Sequence, residues 1–316
     1  MSVTHELPRD VFIDCVHQAA QRDKNIYFLS ADLGAKALDR FRAERNGQFI
    51  HAGICEQNMI DVAAGLALEG KIVYVYAMAP FVTLRCYEQI KVALASMALP
   101  VTIIGVGVGY SYDDAGPTHY ATEDLSCMRA LGGIEIVTPC DTQSVTITAH
   151  VTYTQPALRY VRLDRVFLPS VYLPNDTRFL ADGMAEIEHG DQVCLITTGY
   201  MVHRALEVSK VLQGAGYRIG VVDLYRIKPI DVSVLRRVVE RYECIVTLEE
   251  HFLSGGLGSA VLEACADAGI SRSILRLGIP DQYRFENGGR DYLHRLVGLD
   301  VPSLTARIAE FLSRTE

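Results

Sequence analysis

The segment Phe49–Asn58, FIHAGICEQN, reads as a short apolar strand, a glycine, and then a helix that opens on an acid, Glu56. The helix continues as QNMIDVAAGLALEG, with apolar residues every three to four positions, the period of an amphipathic helix. A strand turning directly into a helix is half of a βαβ unit, so the segment predicts a parallel α/β sheet. It also sets a carboxylate at the carboxyl end of a strand, where open α/β sheets bind ligands. Taken alone, an acid in the first turn of a helix is explained by the helix dipole.

The alternation extends in both directions. Strand-like runs IYFLS, FIHAGI, IVYVY, VTIIGVGV, IEIV and ALRYV are separated by helical segments that include RCYEQIKVALASM. Between Val166 and Gly183 the rhythm breaks at Pro169, Pro174 and a polar NDT turn. After it come VCLITT, RIGVVD, CIVTL and SILRL, alternating with helices that start near Met201, Asp231, Gly256 and Val301. The expectation is two doubly wound α/β domains, residues 1–168 and the smaller 184–316, joined by a linker at 169–183.

At 316 residues and 49% hydrophobic content the chain can bury two sizeable cores. A net charge of −8 without a Lys/Arg cluster argues against nucleic acid. No apolar run is long enough to cross a bilayer, and the polar start MSVTHELPRD does not open a signal peptide, so no membrane partner and a cytoplasmic location are expected. Eight scattered cysteines with no CxxC pair read as small core residues in a reducing compartment, and no metal site is expected in this chain.

Three further segments carry candidate chemistry. In GYSYDDAGPTHYATED, Gly109–Asp124, the Gly116–Pro117 turn is expected to present His119 from a fixed backbone into the cleft beyond the VTIIGVGV strand, an ordinary surface histidine being the alternative. In APFVTLRCYEQ, Ala79–Gln89, a Pro-Phe step between strand and helix holds Phe81 as a flat apolar surface suited to a heteroaromatic ring, unless it simply covers the core. The glycines of HFLSGGLGSAV, His251–Val261, lack the Lys-Ser/Thr ending of a P-loop and read as close packing or subunit contact.

In this order and context the segments resemble the transketolase superfamily. GICEQNM is similar to its catalytic glutamate motif, SADLG (Ser30–Gly34) to its SADL segment, PFVTLRCYEQ to its pyrimidine-stacking segment, AGPTH to its substrate loop and LEEHFLSGGLGSAV to part of its C-terminal domain. The resemblance implies thiamine diphosphate as cofactor. Glu56 would bond the N1′ nitrogen of the aminopyrimidine and favour the tautomer that creates the ylid. Phe81 would stack on the pyrimidine beside Arg85, and His119 would contact donor hydroxyls or the developing oxyanion. The apolar flanks Ile54, Cys55 and Met59 are expected to desolvate Glu56.

What matches is half of a full-length enzyme. The family binds the diphosphate through a divalent ion such as Mg2+ with a GDG motif, and this chain has none; its Gly190–Asp191 step lies in another context. The resemblance therefore implies a split transketolase, with a separate N-terminal subunit supplying the GDG domain and an α2β2 heterotetramer acting on small sugars. Arg162 in LRYVRLD matches a family arginine that clamps the substrate's distal end, an ordinary interdomain salt bridge being the alternative. Lys36 stands where a phosphate-binding Ser is typical, and Ala115 where an acid reads a sugar hydroxyl, with Asp113 and Asp114 just upstream. Transfer of a two-carbon ketol unit is the leading expectation. The alternatives are a decarboxylating relative, like deoxyxylulose-phosphate synthase or a 2-oxoacid dehydrogenase β subunit, and a noncatalytic regulatory subunit.

Overall fold

The computed structural model describes residues 6–31 and 34–314. In chain order the strands are β1 Ile26–Ala31, β2 Phe49–Gly53, β3 Ile72–Met78, β4 Val101–Val106, β5 Glu135–Val137, β6 Arg159–Leu163, β7 Ala185–Glu188, β8 Val193–Thr197, β9 Ile219–Asp223, β10 Arg226–Lys228, β11 Cys244–Phe252 and β12 Ser273–Ile279. They form a seven-stranded sheet, β10-β5-β6-β4-β3-β1-β2, and a five-stranded sheet, β12-β11-β8-β9-β7. Both are parallel except at the edge pairs β10–β5 and β7–β9, giving the two α/β domains that the alternation predicts.

Helices cover both faces of the first sheet, which is why its central strands are apolar throughout; all six residues of β4 are buried. On one face α1 (Pro8–Ala20) and α2 (Lys36–Glu44) pack Phe12 and Phe41 against Phe28, Phe49 and Tyr74. On the other, α3 (Glu56–Leu68) buries Met59, Ile60, Ala63 and Ala67 on one stripe. Because β1 lies between β2 and β3, the carboxyl ends of β2, β3 and β4 open on one edge of the sheet.

The structure departs from the sequence pattern in several places. RCYEQIKVALASM is helical, but Ile90–Ala95 is π-type, with Ser96 N–H donating five residues back to Lys91 O at 2.9 Å. Two strands, β7 and β10, are too short to show a period, and the amphipathic helix Arg290–Val297, which buries Arg290, Leu293, His294 and Val297, lies outside the sequence expectations. β10 follows β9 yet joins the first sheet, pairing Arg226 with Val137 and Lys228 with Ile136. All eight cysteines are free thiols; five are buried, but Cys55 is exposed and Cys15 and Cys127 are half-buried, so they are not uniformly core residues.

The segment 169–183 is fastened to both domains and contains a short helix, Arg178–Asp182. Val171 and Tyr172 N–H groups both donate to Asp141 Oδ2 at 2.8 Å, and Tyr172 hydroxyl donates to Asp223 Oδ2 at 2.7 Å. Burial pushes the Asp223 carboxyl up to about 7, the Tyr172 and Cys140 hydrogen bonds opposing it. Native Asp223 therefore holds a proton that the unfolded chain releases, and its contribution to stability is lost as pH rises from about 4 to about 7. Asp223→Asn is expected to gain on the order of 2–4 kcal/mol relative to wild type between pH 4 and pH 8. Denaturant midpoints measured across that range check this; wild-type and variant curves running parallel would remove Asp223 as the source.

Candidate active site

Gly53, at φ +71, ends β2 in a left-handed turn that a side chain would strain, and α3 then begins at Glu56. Glu56 is only 4% exposed, and Arg85 Nη1 donates to its Oε2 at 2.7 Å. The Arg85 guanidinium also lies 4.0 Å from the centroid of the Phe81 ring. Phe81 sits in the single helical turn Ala79–Val82 after β3, which Pro80 pre-sets and Thr83 Oγ1 closes by donating to Ala79 O at 2.6 Å. The opposite neighbour of Phe81 is His119, edge-on with ring centroids 5.2 Å apart. His119 is held by the Gly116 turn, its N–H donating to Gly116 O at 2.9 Å. Four sequence-predicted residues from the ends of three strands thus form one continuous row: Glu56, Arg85, Phe81, His119.

Other expectations fare differently. Of the flanks expected to wall off Glu56, Met59 is buried, but Ile54 is 72% exposed and Cys55 is exposed, so the burial of the acid does not come from these two neighbours. Arg162, expected to clamp substrate, is an internal ion pair. It is 4% exposed, and its Nε and Nη2 donate to Asp124 Oδ2 and Oδ1 at 2.7 and 3.0 Å, with the Tyr160 hydroxyl also donating to Oδ2 at 2.7 Å. Burial pushes the Asp124 carboxyl up, but the Arg162 guanidinium outweighs this and holds it below the usual range. Asp113 is engaged by the backbone N–H of Arg290 at 2.9 Å, whereas the Asp114 side chain is 82% exposed, 4.0 Å from Arg165.

Lys36 opens α2 and lines a surface cavity of about 510 Å3 with Arg9, Arg40, Asp10 and Asp14. Asp32 and Leu33 of the SADLG segment lie outside the described residues. Arg9, which no motif marks, lines the same cavity; its only sequence signal is its place beside Pro8 in the first turn of α1. The buried atoms Arg9 Nε, Asp10 Oδ1, Tyr76 OH and Tyr112 OH have no hydrogen-bond partner among the described residues. Tyr112 also neighbours His119, with ring centroids 6.1 Å apart, so the polar cluster adjoins the row.

The glycine-rich turn cradles an internal carboxylate. Glu249 accepts the N–H groups of Leu257 and Gly258 at 2.6 and 2.8 Å, and a Cβ on Gly256 would lie 1.9 Å from its Oε2. This is the close packing expected of it.

An acid, a planar cation, an aromatic ring and an imidazole thus line up at the carboxyl edge of a parallel sheet that is followed by a second α/β domain. The transketolase pyrimidine binding domain profile matches residues 8–169 and the transketolase C-terminal domain profile residues 183–304. This chain belongs to the transketolase family. It is 33% identical to a subunit of the apulose-4-phosphate transketolase of Phocaeicola vulgatus, over 97% of each chain. It is also 33% identical to 1-deoxy-D-xylulose-5-phosphate synthase 1 of Geobacter sulfurreducens, over 96% of this chain and 48% of that one. Among solved structures it superposes on a split gene transketolase, an inactive beta4 tetramer, with a TM-score of 0.86 and 29% identity over 98% of this chain and 99% of that one. Family membership implies thiamine diphosphate as cofactor. Among the described residues no helix is long and apolar enough to cross a membrane.

Proposed function

We propose that this chain is the pyrimidine-binding half of a cytoplasmic split transketolase. It works with a separate subunit that supplies the GDG domain and Mg2+, in an α2β2 assembly, and moves a two-carbon ketol unit from a ketose phosphate to an aldehyde. The observation that carries this is the Glu56–Arg85–Phe81–His119 row on a chain that matches one subunit of a transketolase from end to end.

The residues present suit an aminopyrimidine. A planar group with N–H donors, the Arg85 guanidinium, already stacks on Phe81 and bonds Glu56, so the same acid and ring face accept a planar heterocycle that displaces it. Arg85 is part-exposed, so its guanidinium borders solvent on the side away from Glu56 and Phe81 in this reading. When bound, thiamine diphosphate supplies the carbon that accepts the ketol unit. Glu56 Oε2 holds a proton against the ring nitrogen, and burial of the carboxyl keeps water from competing for it. Phe81 fixes the plane of the ring. His119 offers an N–H to the donor's hydroxyls, and in this reading the exposed Asp114 contributes a further hydroxyl contact. Lys36 and Arg9 receive the anionic end of the sugar, and the buried, unpartnered Arg9 Nε is a donor suited to it.

The inactivity of the beta4 tetramer in the split relative supports a catalytic need for the separate subunit. A regulatory role without chemistry gives no reason for the Glu56 row. Arg85 beside the stacking ring and the similarity to the synthase speak for a decarboxylating reaction, but that match spans only 48% of the synthase, whereas the match to the transketolase subunit spans 97% of both chains and favours ketol transfer.

Reconstitution with the partner, thiamine diphosphate and Mg2+ separates these readings. Ketol transfer from a ketose phosphate to an aldehyde, without carbon dioxide release from pyruvate, is the expected result. Pyruvate decarboxylation with no ketol transfer would establish the other reaction.

A further inference from the structure

The loop Gly109–Ala121 carries His119, and its shape is held from the other domain. At its base Gly109 and Ala121 exchange backbone hydrogen bonds at 3.1 and 3.0 Å, and Tyr110 meets Tyr120 edge-on with centroids 4.9 Å apart. Gly109 and two further loop positions, Ser111 and Asp113, lead to one residue of the C-terminal domain, Arg290. Its backbone N–H donates to Asp113 Oδ2 at 2.9 Å. Its Nη2 donates to Asp164 Oδ2 at 2.8 Å, while Asp164 Oδ1 accepts the Ser111 hydroxyl at 2.8 Å. Its Nε and Nη2 donate to Glu250 at 2.9 and 2.5 Å, and Glu250 packs so closely on Gly109 that a Cβ there would lie 2.0 Å from Oε2.

Arg290, Asp164 and Glu250 are all buried, and the guanidinium is also fixed over the Tyr200 ring at 3.5 Å. Burial pushes the Glu250 carboxyl up, but Arg290 and His294 outweigh this and hold it down at about 2, so the clamp stays charged through the neutral range. None of these groups belongs to the row that begins at Glu56. Their common geometric effect is on the loop, which runs from Asp113 to His119 through a turn at Gly116 and Pro117, with the Tyr112 ring also against His119.

We propose that Arg290 is a positioning residue: through Asp113, Asp164 and Glu250 the C-terminal domain holds the 109–121 loop so that His119 stands against Phe81 and meets the donor sugar. The proposal rests on the reading of His119 as a substrate contact. It gives the C-terminal domain a part in substrate binding. An ångström of misplacement costs roughly a hundredfold in rate, and a loop still closed at its base loses less, about tenfold.

The test uses the reconstituted complex with a ketose phosphate donor. Asp113→Ala cuts one tether at a half-buried position and leaves the buried ions intact. It is expected to lower kcat/KM for the donor about tenfold, mainly through KM, with cofactor affinity, thiazolium C2-proton exchange and the thermal midpoint unchanged. In a His119→Ala background the same change is expected to cost nothing further. Arg290→Lys, which keeps the charge and loses the fork, is expected to move KM in the same direction. If Asp113→Ala leaves KM and kcat at wild-type values while His119→Ala is impaired, the tether is refuted and the reading of His119 stands. A loss that adds in full to that of His119→Ala refutes it as well. If His119→Ala is itself silent, the substrate-contact reading fails and takes the proposal with it.

Discussion

Glu56→Gln in the reconstituted complex is expected to lower kcat by about 10²–10⁴, the usual worth of a positioned proton-transfer group, with substrate KM little changed. Gln matches Glu in shape and still accepts a hydrogen bond, but it cannot hold the shared proton. Exchange of the thiazolium C2 proton, followed by NMR, is expected to slow in step with turnover. Exchange at the wild-type rate would take Glu56 out of the mechanism. Gln also leaves Arg85 facing a neutral amide in place of the carboxylate it pairs with at 2.7 Å. The neighbouring positions explain why the substitution is tolerable structurally: Arg85 is part-exposed and can find water instead.

The second large effect falls on stability. Arg162→Met is expected to cost about 3–5 kcal/mol, because Asp124 would stay buried at 0% exposure without its counter-ion. Tyr160 supplies only one neutral hydrogen bond to it, and His251, whose Nε2 lies 3.9 Å away, is held down at about 4 by burial and so is neutral at physiological pH. Chemical denaturation of the isolated chain measures this. A loss below about 1 kcal/mol would show the pair to be energetically idle, as surface pairs are. If Arg162 instead bound substrate, its replacement would raise KM and leave the unfolding midpoint alone.

The contrast between these two residues shows what the sequence carries. Glu56, Phe81 and His119 each sit at a strand end marked by local turn chemistry, Gly53, Pro80 and Gly116–Pro117, and such signals act over a few residues. Their convergence follows from parallel strands sharing one carboxyl edge. Arg162 lies within a strand, where alternation tells which face a side chain takes but not what stands opposite it. Its partner, Asp124, begins a helix 38 residues away in sequence. β10 was hidden for the same reason: three residues, Arg226–Lys228, have no period of their own and are fixed only by pairing with β5. Ile54 went the other way, since an apolar residue beside a strand suggests burial, while here it is 72% exposed.

The central claim is that this chain holds half of an active site. Titration calorimetry of the purified chain with thiamine diphosphate and Mg2+, with and without the partner subunit, tests it most directly. The account predicts no tight binding and no ketose turnover by the chain alone, and both on adding the partner. Tight binding with turnover by the chain alone would contradict it.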